Sequence, residues 1–190
     1  MKLYKKFVFQ ILCLAALFQG HAAIKLPALF SDNMMLQQQS NAPICGWADK
    51  NQNVKVKTSW DAKTYVLKAD KDGKWKIALK TPEAGGPYTI TVSDAKEVKT
   101  IKNILIGEVW LCSGQSNMEM PLKGFQGQPV LKGNEAIVHS RNNKIRFITV
   151  PRATVLTPNE DFVGQWNVAS AQTTGDFSAT AWYFGSLLPL

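Results

Sequence analysis

Ser116 is the residue of this chain whose surroundings best suit nucleophilic chemistry. It lies in the segment GEVWLCSGQSNMEM, residues 107–120, where an apolar run gives way to small and amide residues. A serine hydroxyl can attack an ester carbonyl when a base takes its proton. Ser116 and Glu119 also have the Ser-x-x-Glu spacing of a capping box, in which the serine only caps a helix. The spacing alone therefore favours the cap.

The context of Ser116 favours the nucleophile. The serine follows an apolar run, and the nucleophiles of α/β enzymes lie at such strand-to-helix turns. Pro121 comes soon after it, so a helix that begins at Ser116 would be short and would gain little from a cap. The free N–H groups at a helix start can also hold an oxyanion. Ser116 is therefore the predicted nucleophile, with Gly114, Gln115 and Asn117 as its neighbourhood.

No base for this serine is evident. The two histidines of the chain are His21, near the N-terminus, and His139, in AIVHSRN. His139 is a lone histidine for which the sequence indicates no carboxylate partner that would orient its ring, so we interpret it as a surface or loop histidine. No Cys/His cluster has the spacing of a metal site, and no glycine-rich phosphate loop follows a strand. We therefore expect neither a metal nor another cofactor.

The first 22 residues have the layout of a secretory signal peptide. Three lysines precede an apolar run over residues 7–18, and the small residues of QGHAA follow it. The run is too short to span a hydrocarbon core of about 30 Å. We predict cleavage near Ala22, a secreted or periplasmic protein, and no stable membrane anchor after cleavage.

From residue 24 to about residue 106 the pattern is that of strands. Short runs rich in Val, Ile, Thr, Tyr and Trp alternate with polar residues and are separated by turn clusters. Strands this short, with no helix between them, predict an antiparallel β-sandwich or jelly-roll-like domain over residues 23–102. Its predicted core consists of Val54, Val56, Trp60, Val66, Leu67, Trp75, Ile77, Leu79, Tyr88, Ile90 and Val92.

After residue 103 the pattern changes. ILIGEVWL is a nearly continuous apolar run, which predicts a strand buried on both faces of an α/β sheet, and KIRFITVP predicts a second strand. DFSATAWYFGSLLPL predicts an amphipathic helix capped by Asp176. About 90 residues are too few to cover both faces of a parallel sheet, so we expect residues 103–190 to be the start of a truncated α/β domain.

The charge and the cysteines are less informative. The formal net charge is +8, and removal of the signal peptide would lower it by three. The lysines are scattered singly in runs such as VKVKT, which is typical of the wet face of strands, so nucleic acid is not an expected partner. Cys45 and Cys112 remain after cleavage. They could form one disulfide or remain buried thiols.

The segment GEVWLCSGQSNMEMPL resembles the first motif of the SGNH hydrolases, in the branch of bacterial sialate O-acetylesterases and related carbohydrate esterases. The resemblance extends to LPALFSDNMMLQQQSNAPICGWAD and to FSATAWYFGSLL, so it spans nearly the whole chain after the signal peptide. It implies a β domain ahead of an α/β/α hydrolase domain. It also implies removal of acetyl groups from O-acetylated sialic acid or another acetylated glycan.

The same resemblance implies that Ser116 is the nucleophile and that its own N–H contributes to the oxyanion hole. In the family, a glycine and an asparagine from later motifs complete the hole, and a histidine in an Asp-x-x-His-like motif is the base. The sequence contains none of these later motifs. We therefore expect the chain to be inactive by itself. The alternative is a secreted, non-catalytic carbohydrate-binding or assembly module in which Ser116 is a helix cap.

Overall fold

The computed structural model describes residues 23–188. The predicted signal peptide, residues 1–22, and its cleavage site after Ala22 lie outside the described residues. None of the helices within residues 23–188 is long and apolar enough to cross a membrane. Most of the regular secondary structure within residues 23–188 is strand, which confirms the predominantly β character predicted from the sequence.

The first half of the described chain folds into strands that form two sheets. The strands are β1 (Met35–Gln37), β2 (Asn41–Trp47), β3 (Asn53–Thr58), β4 (Thr64–Lys68), β5 (Lys74–Lys80), β6 (Gly85–Ser93) and β7 (Val98–Gly107). One sheet has five strands in the order β1-β7-β6-β3-β4. In it β1 is parallel to β7, and the other neighbours are antiparallel. The second sheet pairs β2 with β5, also antiparallel.

The two sheets share one hydrophobic core. In β3 the side chains of Val54 and Val56 are fully buried, whereas Lys55 between them is exposed. This is the period-two pattern of a strand that has one buried face and one wet face. The second sheet contributes Trp75 and Leu79 to the same core. The alternation that predicts strands in the sequence therefore also selects their buried face.

One predicted core residue, Val66, lies on the wrong face of its strand. Its side chain is 63% exposed, whereas the adjacent Leu67 is partly buried and packs against the core. Neighbouring strand residues point to opposite faces of a sheet, so β4 cannot bury both. The remaining residues of the predicted core are buried or pack against it.

The apolar run ILIGEVWL, residues 104–111, is not one buried strand, contrary to the prediction. Its first part belongs to β7, where Ile104 and Ile106 are buried in the core of the first half. After Gly107 the chain leaves the sheet, and Leu111 is 93% exposed. β7 thus continues past residue 103, where the sequence predicts the start of the second domain. An apolar run alone does not distinguish a strand buried on both faces from a strand followed by an apolar loop.

The second half contains short helices and one pair of strands. They are α1 (Ser116–Glu119), α2 (Gly133–Val138), β8 (Asn142–Phe147), β9 (Asn167–Ala169) and α3 (Ala179–Ser186). The strand predicted in KIRFITVP forms as β8, but it pairs antiparallel with β9 and joins no parallel sheet within residues 23–188. A small core that includes Leu122, Phe147 and Trp182 holds these elements together.

The predicted helix at the end of the chain forms as α3, but Asp176 does not cap it. The cap is Ser178, whose Oγ accepts a hydrogen bond from the Ala181 N–H at 3.3 Å. The Ala179 N–H donates instead to the Met120 carbonyl at 2.8 Å. Asp176 lies outside the helix and forms an ion pair with Lys123. Sequence spacing alone could not choose between two capping residues so close together.

A loop of the second half, residues 160–166, fastens the N-terminal segment of the first half. We call this loop the strap. Its Asp161 accepts a hydrogen bond from the Ala28 N–H at 2.8 Å and forms an ion pair with Lys25 at 3.3 Å. At its other end, Trp166 Nε1 donates to the Leu29 carbonyl at 2.8 Å. The strap therefore couples the two halves by polar contacts.

Opposing effects act on the pKa of the Asp161 carboxyl group. Burial raises its pKa, but hydrogen bonds from backbone N–H groups, with that of Ala28 first, and the Lys25 ammonium outweigh this effect. The pKa therefore lies below the ordinary value of 3.8. A carboxyl group with a lowered native pKa stabilises the fold above the unfolded pKa and loses that contribution as the pH falls through the native pKa.

The two faces of the large sheet can be compared with a matched pair of valines. Val54→Ala removes two buried methyl groups, so we expect it to lower the free energy of unfolding by about 2 kcal/mol. Val66→Ala removes the same atoms from an exposed position and should cost less than about 1 kcal/mol, mainly in strand propensity. Urea unfolding of both variants measures the difference. Equal losses would contradict the assignment of faces in β4.

The strap gives a prediction about acid stability. The free energy of unfolding should fall more steeply in the wild type than in Asp161→Asn as the pH drops below about 3.8, because only the wild type has this carboxylate to protonate. The asparagine keeps an oxygen that can accept the Ala28 N–H. Urea unfolding at several pH values between about 5 and 2.5 gives the two slopes. Identical slopes would show that Asp161 does not couple stability to pH.

Candidate active site

Ser116 is exposed at the first position of α1. The chain reaches it from the end of β7 through residues 108–115, which form neither helix nor strand. α1 itself is a single turn of four residues, and Pro121 follows it closely, as the sequence predicts. Gly114, Gln115 and Asn117 are likewise exposed around the serine. The structure therefore presents the predicted site residues together on one surface segment.

Ser116 does not cap this helix, contrary to the capping-box interpretation. The cap position belongs to Gln115, whose carbonyl accepts hydrogen bonds from the N–H groups of Met118 at 2.9 Å and Glu119 at 3.1 Å. These are the groups that a serine cap at position 116 would have to bind. The Glu119 carboxylate does not reach back to the helix start but forms an ion pair with Arg152, at 2.7 Å. Neither half of a capping box is formed.

Several polar groups at this turn have no partner in the described chain. Within residues 23–188, the Ser116 hydroxyl accepts and donates no hydrogen bond, and the backbone N–H groups of Ser116 and Asn117 donate none. All of them are open to solvent. An exposed hydroxyl beside two free N–H groups matches what attack on a carbonyl requires, because the N–H groups can stabilise the negative oxygen that forms.

α1 is held against the start of α3. The hydroxyl of Thr180 donates to the Asn117 carbonyl at 3.0 Å, and the Ser178 hydroxyl donates to the Met118 sulfur at 3.2 Å. Two further backbone hydrogen bonds continue this contact beyond α1, from Ala179 to Met120 at 2.8 Å and from Leu122 to Phe177 at 2.8 Å. The FSATA segment thus positions the serine-bearing turn.

A glycine and an aromatic pair shape the approach to α1. A Cβ atom on Gly114 would lie 3.1 Å from the Met118 Cβ, so a larger residue there would crowd the helix. Trp110 packs edge-on against Phe184 of α3, with the ring centroids 5.1 Å apart. Both rings remain substantially exposed, at 57% and 43%. The serine therefore lies on a surface that carries uncovered apolar side chains.

Glu108 helps to hold the segment that leads to Ser116, and the sequence alone does not indicate this role. Its carboxylate accepts hydrogen bonds from Gln38 Nε2 at 2.7 Å and Gln37 Nε2 at 3.1 Å, which lower its pKa. Gln37 Oε1 in turn accepts the Val109 N–H at 2.9 Å. These contacts fix the point at which the chain leaves β7 toward Ser116. The glutamines of LQQQ are the sequence signal, but nothing in their spacing links them to a residue 70 positions later.

The described residues supply no base near Ser116. His139 is exposed at the end of α2, and its Nδ1 contacts the Glu135 carbonyl of the same helix at 2.9 Å. This contact agrees with its interpretation as a surface histidine. His21 lies outside the described residues. No group of three or more His, Cys, Asp or Glu side chains within residues 23–188 is arranged to hold a metal ion.

The two cysteines of the described range are free thiols. Cys45 is partly buried in β2, and burial raises the pKa of its thiol. Cys112 is exposed in the segment that leads to Ser116. The sequence left a disulfide and two buried thiols open, and the structure instead has one partly buried and one exposed thiol.

The chain was compared with protein-family models and with known proteins. No protein-family model matches it. The chain is 26% identical over 179 residues to the sialate O-acetylesterase of Homo sapiens, covering 85% of this chain and 33% of that protein. It is 28% identical over 178 residues to the sialate O-acetylesterase of Rattus norvegicus, covering 85% and 32%.

The match to a solved structure agrees with these sequence relatives. The crystal structure of a carbohydrate acetylesterase from Xanthomonas citri matches with a TM-score of 0.79 and 32% identity, over 86% of this chain and 37% of that chain. The chain thus spans about a third of the length of the curated relatives it matches. The resemblance to sialate O-acetylesterases and related carbohydrate esterases is confirmed. The role of Ser116 remains a prediction.

The absence of a capping role for Ser116 can be measured. Ser116→Ala should change the free energy of unfolding by less than about 0.5 kcal/mol, because its hydroxyl binds nothing in the described chain. The matched variant Ser178→Ala removes the actual cap of α3 and should cost about 1 kcal/mol. Urea unfolding measures both. A loss of about 1 kcal/mol in Ser116→Ala would restore the capping interpretation.

Proposed function

We propose that this chain, a relative of the sialate O-acetylesterases over 85% of its length, carries the nucleophile of a serine esterase that removes O-acetyl groups from sugars. The observation that carries the proposal is the free and exposed hydroxyl of Ser116 beside two unpaired N–H groups. A purely structural serine at a helix start would have its oxygen bound to the helix amides.

In this proposal the Ser116 Oγ attacks the acetyl carbonyl carbon while a base takes its proton. The electrons of the carbonyl move to its oxygen, and the N–H of Ser116 donates a hydrogen bond to this oxyanion. The oxyanion then collapses, the bond between the acetyl carbon and the sugar oxygen breaks, and the protonated base gives its proton to that departing oxygen, which leaves as a hydroxyl. Water hydrolyses the acetyl-serine in a second, equivalent step. The reaction needs no metal or cofactor.

The residues around Ser116 have supporting roles in the proposal. Gly114 leaves room for the approach to α1, since any Cβ there would crowd Met118. The exposed amides of Gln115 and Asn117 lie beside the hydroxyl and can orient a sugar or its acetyl group by hydrogen bonds. Glu119 forms a local ion pair with Arg152.

The base and the rest of the oxyanion hole are proposed to come from outside the sequence given. The family resemblance implies a histidine in an Asp-x-x-His-like motif, and His139 does not match that motif. The chain spans about a third of its relatives' length, so most of their residues have no counterpart in it. Without a base, a serine hydroxyl is a poor nucleophile at neutral pH. We therefore propose that residues 1–190 alone are inactive.

The proposal also covers the architecture and the location of the protein. Residues 23–102 would form the β-sandwich or jelly-roll-like domain, and residues 103–190 would begin the α/β/α hydrolase domain. The exposure of Val109, Trp110 and Leu111 supports this, because consecutive exposed apolar side chains mark a surface that another part of a protein covers. Residues 1–22 would direct the protein to the periplasm or the exterior, where acetylated glycans are accessible.

Two alanine variants test the nucleophile. The chain extended by the coding sequence downstream of Leu190 should hydrolyse an O-acetylated sugar, and Ser116→Ala should lower that rate by at least about 10³-fold. Ser113→Ala, in the same exposed segment, is the matched control and should retain the rate. Acetate release measures all three.

The unextended chain completes the test. Residues 1–190 should release acetate no faster than the extended Ser116→Ala variant. Two results would contradict the proposal: an extended chain whose rate is unchanged by Ser116→Ala, or an unextended chain with full activity that depends on Ser116.

A further inference from the structure

An open surface pocket lies at the junction of the two halves. A cavity of about 530 Å³ opens there, and its walls come from the N-terminal segment, from β7 and from the strap. None of its lining residues belongs to the segment that carries Ser116. The residues that matter for its chemistry are Phe30, Asp32, Asn33, Lys99, Gln165 and Trp166. The volume lies in the range of small-molecule sites.

Trp166 provides an aromatic wall that is fixed in place. Its Nε1 donates to the Leu29 carbonyl at 2.8 Å, so the ring is tied to the N-terminal segment on one edge. The ring is partly buried against the main core and partly exposed to the cavity. A held tryptophan offers a flat apolar surface with little loss of side-chain entropy on binding. The C–H groups on one face of a pyranose ring suit such a surface.

The polar groups of the cavity include both hydrogen-bond donors and hydrogen-bond acceptors. Asn33 Oδ1 accepts from Asn103 Nδ2 at 2.7 Å, which leaves the Asn33 amide N–H groups free to donate. Asp32 Oδ1 accepts the Lys102 N–H at 2.7 Å, and its second oxygen has no hydrogen bond within the described chain. Gln165 adds an exposed amide that can do both. Sugar hydroxyls, which donate and accept, match this mixture.

The two lysines of the cavity are paired with carboxylates of the protein. Lys25 pairs with Asp161 at 3.3 Å, and Lys99 lies 3.6 Å from Glu97. Asp32 adds one negative charge to the lining. An anion such as phosphate would therefore find no uncompensated positive charge. A neutral ligand fits better.

We propose that this junction cavity binds a neutral saccharide, with Trp166 stacking on one face of a pyranose ring and Asn33, Asp32 and Gln165 binding its hydroxyls. The site is independent of Ser116 and does not rest on the proposed esterase activity. It would hold a glycan unit even in a chain without catalysis.

Nuclear magnetic resonance on the chain from residue 23 tests the proposal. Each of the six tryptophans gives one indole N–H signal, and the signal that disappears in Trp166→Phe assigns Trp166. Lactose and cellobiose, added to roughly 10 mM, should shift the Trp166 signal while the other indoles stay in place, as a dissociation constant of about 1 mM permits. Inorganic phosphate at the same concentration should leave it unchanged.

Two glutamine variants locate the binding. Gln165→Ala should weaken saccharide binding by about fivefold, the effect of one lost hydrogen bond. Gln126→Ala, at an exposed residue that does not line the cavity, should leave the binding unchanged. Ser116→Ala should also bind normally, which separates this proposal from the esterase. A Trp166 signal that neither sugar moves, a response to phosphate alone, or equal affinity in Gln165→Ala and wild type would overturn the proposal.

Discussion

The carbonyl of Gln115 determines how the serine-bearing turn presents its groups. By accepting the N–H groups of both Met118 and Glu119, it closes the single turn of α1 without help from any side chain. The Ser116 hydroxyl is thereby released from the structural role that its sequence spacing suggests. The N–H groups of Ser116 and Asn117 stay unpaired because a helix start always leaves its first donors free. Free donors and a free hydroxyl at one turn are consequences of the same backbone arrangement.

This arrangement depends on contacts at both ends of the segment. On one side, Glu108 binds the side chains of Gln37 and Gln38 where the chain leaves β7. On the other side, α1 rests against the start of α3 through Thr180 and Ser178. The first half of the chain therefore positions residues 108–115, and the second half supports α1. A rigid scaffold that carries an exposed loop is the usual way in which proteins place reactive groups.

Much of the fold follows from local patterns in the sequence. The alternation in NVKVKT and KWKIALK predicts strands and their buried residues, since a sheet with one wet face must bury every second side chain. The same rule, applied strictly, would have placed Val66 outside the core. The sequence also predicts α3, but its cap depends on where the Ala179 N–H is already engaged, which is a tertiary contact.

Only part of the candidate site can likewise be predicted from the sequence. Its residues can be found from their order alone, because Gly114 to Asn117 are contiguous. The contacts that position them join residues about 60 to 70 apart, such as Glu108 with Gln38 and Thr180 with Asn117. No local rule predicts such pairs. The prediction that ILIGEVWL is buried throughout is wrong at its exposed end for a similar reason. Whether an apolar run is buried depends on which other parts of the protein pack over it.

Covalent labelling can show whether Ser116 is a nucleophile. A fluorophosphonate probe forms a stable bond with an activated serine, and fragment-ion mass spectrometry can separate Ser116 from the nearby Ser113. In the chain extended past Leu190 we expect a single label on Ser116, and on residues 1–190 alone we expect none. A label on Ser113 or elsewhere, with Ser116 unmodified while hydrolysis is blocked, would contradict this expectation.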